Sequence, residues 1–70
     1  MAYTQYESAL DAAFEYAGRR QVETWQDENP EQEAERLAAA FMLEQWQNDV
    51  ITGLNFHRRP NGSALVIVEN

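Results

Sequence analysis

Glu7, Asp11 and Glu15 stand at positions i, i+4 and i+8. On a helix that spacing puts three carboxylates on one face, about 6 Å apart along the axis. A regular line of negative charge on a rigid element imitates a phosphate backbone and fits a basic groove. Glu23 and Asp27 repeat the four-residue spacing, as do Glu31 and Glu35. Each like-charge step costs about 0.2–0.5 kcal/mol, so the four steps together cost about 1–2 kcal/mol before salt screening. Only the step from Glu15 to Arg19 brings an opposite charge. The acids that follow this pattern, Glu7, Asp11, Glu15, Glu23, Asp27, Glu31 and Glu35, are the candidate partner-binding residues.

Other chemistry finds little support. The chain has no cysteine, and one histidine, His57, which has no orienting carboxylate fixed by sequence. Ser8 falls early in the first predicted helix and Ser63 in a turn, and neither has the strand-to-helix context of a nucleophile elbow. No glycine-rich loop could cradle phosphates. Of Glu31, Glu33 and Glu35, only the first and last share a helix face, and a carboxylate metal site would want histidines at helical spacing. Acids at a helix start are also explained by the helix dipole. No catalytic residue, cofactor or metal is expected, and the chain is read as a non-enzyme.

Twelve acids face five bases, for a formal net charge of −7, and every base is an arginine. Such a surface repels nucleic acid and anionic membranes, because phosphate binding depends on cationic side chains that release counterions. Neither direct nucleic-acid binding nor membrane binding is expected; a basic protein partner is. The arginine doublet Arg58-Arg59, beside His57, makes one small basic spot that could meet the acids of another copy. No basic segment followed by an apolar run opens the sequence, and no apolar run approaches the roughly 20 residues that span a bilayer. A cytoplasmic protein is the expectation.

The elements that must position these charges read as one domain over residues 1–70. Thr4 and Glu7 have the spacing of a capping box, and Tyr6, Leu10, Ala13, Phe14 and Ala17 trace one apolar helix face. A first helix is therefore predicted over about 4–27, with Gly18 either ending it or kinking it into a second segment. Asn29-Pro30 caps and starts a second long helix, to about 48. The tail switches to period two, and a hairpin is predicted over about 51–68. Its turn, RPNGS, fits a type I turn with glycine at the left-handed position. Pairing Arg59 with Ser63 sets Phe56 opposite Val66, Leu54 opposite Val68, His57 opposite Leu65 and Asn55 opposite Ile67. The fold class is α+β: two or three α-helices followed by a C-terminal antiparallel β-hairpin.

Apolar side chains exceed what this plan covers. Around the stretch LAAAFML, residues 37–43, Ala34, Leu37, Ala38 and Phe41 fall on one side of the second helix. Ala39, Leu43, Trp46 and Val50 fall roughly 150° away, with Met42 between. The last strand, SALVIV, is apolar on both faces and carries no charge, proline or bulge to guard an edge. Leu65, Ile67, Leu43 and Trp46 are therefore candidates for an oligomer or partner interface, and a homodimer is expected. Tyr16 and Trp25 lie off the main stripe and are further candidate contact residues, with core filling the favoured role for Trp25. A chain this small buries only about 60% of its unfolded surface, and without disulfide or zinc, association is the remaining staple.

In size, acidity and lack of catalytic residues the chain is similar to the small inhibitors that phages and mobile elements use against host defence nucleases. The similarity is one of type and carries over no residue. The function expected is that of a small acidic inhibitor, of the anti-CRISPR kind, that occupies a basic surface of a nucleic-acid-handling protein. The alternative is a homo-oligomeric structural or regulatory protein assembled through its hairpin and apolar second helix.

Overall fold

The computed structural model describes residues 2–70. The order of elements is β1 (Tyr3–Tyr6), α1 (Ala9–Tyr16), α2 (Arg19–Glu28), α3 (Glu31–Gln47), β2 (Gly53–Arg58) and β3 (Ala64–Glu69). The three strands form one antiparallel sheet in the order β1-β3-β2. The helices cover one face of it, and the fold is α+β with the C-terminal hairpin in place.

The hairpin has the predicted register. Leu54 pairs with Val68, Asn55 with Ile67, Phe56 with Val66 and His57 with Leu65. The Arg59 N–H donates to the Ser63 carbonyl, and Gly62 holds φ 89°, the left-handed position that the turn requires. Side-chain alternation then aims Val66 and Val68 at the helices, where both are fully buried, and Leu65 and Ile67 at the open face.

The N-terminus departs from expectation. Residues 3–6 are a strand, not the first turn of a helix, and β3 is the central strand, not an edge. Tyr3, Thr4 and Tyr6 are aromatic or β-branched and suit a strand. Pairing them with Val66 to Glu69 satisfies the second row of backbone groups on β3. Helix initiation passes to Ser8, whose hydroxyl accepts from the Asp11 N–H, so Ser8 is the N-cap and not Thr4.

The predicted 4–27 helix is two helices. Gly18 sits at φ 89°, ψ 153°, a conformation essentially reserved for glycine, and the chain turns there from α1 into α2. Small side chains let α1 and α3 approach closely: Ala9, Ala12 and Ala13 on one, and Ala34 and Ala38 on the other, are fully buried. Met42, Val22 and Ile51 fill the centre of the core. α2 contributes little besides Val22 and Trp25, whose ring packs on Phe41 at a centroid distance of 5.8 Å. Trp25 thus takes the favoured role of core filler.

α3 ends in a tight reversal. The Asp49 N–H donates to the Trp46 carbonyl and the Val50 N–H to the Gln45 carbonyl, with Asp49 left-handed at φ 61°. This pairing of the last carbonyls is the Schellman arrangement, with an aspartate where glycine or asparagine is usual.

Candidate functional site

Each predicted acid can now be placed. Glu7 belongs to no helix. It follows β1, and its carboxylate meets the Arg59 guanidinium at 2.7 Å while its carbonyl oxygen accepts from the same side chain. Arg59 lies on the β2 side of the sheet and Glu7 on the β1 side, so the pair spans β3 and ties the outer strands together. Glu7 is well exposed, so the pair contributes about 0–1 kcal/mol. The predicted row of three carboxylates is reduced to Asp11 and Glu15 on α1. The Arg58-Arg59 doublet is likewise split, with Arg59 committed within the chain.

Glu35 departs furthest from expectation. It is 7% exposed and belongs to the core face of α3. Its carboxylate accepts from the backbone N–H groups of Ala9, at 2.7 Å, Leu10 and Ala64. One side chain on α3 thus satisfies the free donors at the start of α1 and the first donor of β3. It is a structural capping group and leaves the partner-binding set. Its spacing held the signal: Glu35, Ala38 and Met42 lie three and four residues apart, on the buried face of α3.

The remaining acids are displayed. Ten of the twelve are exposed, all but Glu35 and the half-buried Glu69. Among the described residues only Glu7 and Glu33 of the ten have an ionic partner, Glu33 a loose one, Arg36, at 3.8 Å. Eight exposed carboxylates are left: Asp11 and Glu15 on α1, Glu23, Asp27 and Glu28 on α2, Glu31 and Glu44 on α3, and Asp49 beyond it. Of the four predicted like-charge steps, Asp11–Glu15 and Glu23–Asp27 survive, which lowers their cost to about 0.4–1 kcal/mol. The negative field is therefore carried by the helical layer.

No family model, curated protein or solved structure matches the chain.

Among the described residues no group of three or more His, Cys, Asp or Glu side chains is arranged to hold a metal, and no helix is long and apolar enough to cross a membrane. His57 is exposed on β2, with Leu65 opposite it. Ser63 donates to Asn61 within the turn. Two tyrosines are perturbed. The Glu69 carboxylate beside it raises the Tyr3 phenol above its ordinary value. Burial raises Tyr6 above the same value, helped by Tyr16 and Glu15. Tyr16 accepts from the Asn70 side-chain amide and helps to hold the end of the chain.

The predicted interface residues fall on two separate surfaces. Leu65 and Ile67 are half-buried on the open sheet face, beside Gln5, Asn55 and His57. Leu43 and Trp46 are 41% and 46% exposed on α3. Val50, just beyond the end of α3, is 53% exposed. β2 borders only the near edge of this stripe, through Phe56. Hairpin-to-hairpin pairing through β3 is excluded as a route of assembly, because both edges of β3 are already paired.

Proposed function

We propose that this is a non-enzymatic binding protein that docks its acidic helical layer on a basic surface of a nucleic-acid-handling protein and so blocks that surface. The observation that carries the reading is the display of eight exposed carboxylates that have no ionic partner among the described residues, most of them on helices packed on one core. Such a surface loses nothing internal when it meets a cationic partner, and its field steers the encounter at low ionic strength. The contact set is revised accordingly to Asp11, Glu15, Glu23, Asp27 and Glu31, without Glu7 and Glu35. The similarity of type to small phage inhibitors supports the class of partner.

The test is a pull-down of bacterial lysate with tagged protein at physiological salt, beside a variant carrying Asp11→Asn, Glu15→Gln, Glu23→Gln and Asp27→Asn. The four changes take the formal charge from −7 to −3. Capture of a basic nucleic-acid-handling protein is expected from the parent chain, weakening as salt rises, and at least about tenfold less from the variant. Equal capture by both proteins, or capture insensitive to salt, removes the acidic layer as the contact.

A further inference from the structure

The stripe on α3 is an exposed apolar surface that the acidic reading leaves unused. Ala39, Leu43 and Trp46 recur at spacings of four and three, a line of apolar side chains along α3, and Val50 is exposed just beyond its end. Beside it runs a groove of about 170 Å³, bordered by Ala39, Leu43 and Phe56, with Arg36 and Arg58 on its rim. The stripe ends at Asp49, an acid in a place disfavoured twice over. Its left-handed φ favours glycine or asparagine, and a negative charge at a helix C-terminus opposes the dipole. A residue that breaks local rules points to a role outside its own element.

These features complement one another across a two-fold axis. Let two copies of α3 pack antiparallel with the axis near Leu43. With a rise of about 1.5 Å per residue, Trp46 of one copy falls level with residue 40 of the other, beside the groove between Leu43 and Phe56. Asp49 of the first copy falls level with residue 37, next to Arg36. The knob, the hole, the acid and the base are all supplied by one chain, as a two-fold interface requires. We propose that the protein self-associates through α3 in this way, each copy seating Trp46 in the groove of the other and setting Asp49 against Arg36. The occupant of the stripe is a second copy of the chain.

The contact is small. A stripe of this length covers less than the ~800 Å² per partner of a standard interface, so a weak, concentration-dependent dimer is expected. Two chains of charge −7 also repel, and salt screens that repulsion. Dimerisation should therefore strengthen as salt rises, whereas docking on a basic partner should weaken. The inference stands whether or not the acidic reading holds.

Sedimentation equilibrium of the intact chain, up to about 1 mM, tests it against Trp46→Ala, Leu43→Glu and Asp49→Asn. All three positions are exposed, and asparagine keeps the left-handed conformation, so the variants should fold; circular dichroism checks this. The parent mass is expected to rise from one chain to two with concentration. Trp46→Ala and Leu43→Glu should weaken association at least about tenfold, and Asp49→Asn about threefold. A parent chain that stays monomeric overturns the proposal, as does association that survives Trp46→Ala and Leu43→Glu. Association unaffected by Asp49→Asn overturns the antiparallel register.

Discussion

Glu35 is the residue on which most of the molecule converges. Its carboxylate meets three backbone donors from two different elements, and among the described residues no other side chain joins α1, α3 and β3 in this way. Removing it strands those donors in a buried setting, at about 1–3 kcal/mol each when no water replaces the acceptor. Glu35→Ala is expected to destabilise the fold by about 3 kcal/mol or more, measured by chemical denaturation, enough to unfold a marginal domain. Glu35→Gln keeps one acceptor oxygen and should cost about half as much. Equal stability of the alanine variant would show that solvent reaches these amides. Glu7 makes the opposite case: its pair with Arg59 is exposed and tunes the molecule little.

The elements are unequal in strength. α3 starts with Glu31 and Glu33 in its first turn, which suits the dipole. α2 is charged against its dipole, with Arg19 and Arg20 at its start and Asp27 and Glu28 at its end, each unfavourable by about 0.3–1 kcal/mol. Gly18, which precedes it, offers no side-chain cap. With Val22 its only fully buried residue, α2 is held by Val22 and by Trp25 on Phe41. Hydrogen exchange should therefore find the α2 amides opening well before those of β3 and the centre of α3. Equal protection would mean that α2 unfolds only with the whole. That α2 carries three of the exposed acids, Glu23, Asp27 and Glu28, makes the weakest helix part of the candidate contact surface.

At the scale of the whole molecule, charge opposes compaction. The chain packs seven negative charges net into a body of 35 × 27 × 16 Å, with most acids on the helical side. Self-repulsion between exposed groups is screened at a Debye length of about 10 Å in 0.1 M salt, and shorter above. The melting temperature should rise with sodium chloride between low and high ionic strength, by several degrees for a domain this small. A flat or falling profile would place the stabilising ion pairs above the repulsion. The same salt series divides the two proposed contacts, since one is weakened by screening and the other is strengthened.

The sequence by itself determined what depends on neighbours along the chain. RPNGS specified the turn, and with it the full register of β2 on β3, because a one-residue slip would turn Val66 and Val68 to the open face. Asn29-Pro30 marked the boundary of α3, and net charge forecast an acidic surface. Tertiary structure decided what depends on who lies opposite. Residues 3–6 carry both a capping box and strand-forming side chains; the free edge of β3, some 60 residues away, selected the strand. That choice took Glu7 off the helix and gave it to Arg59. Glu35 reads in sequence as one more acid at a helix start. Only the arrival of the α1 N-terminus and Ala64 beside it turns a solvated carboxylate into a buried acceptor, because a lone charge can leave water only where donors wait for it.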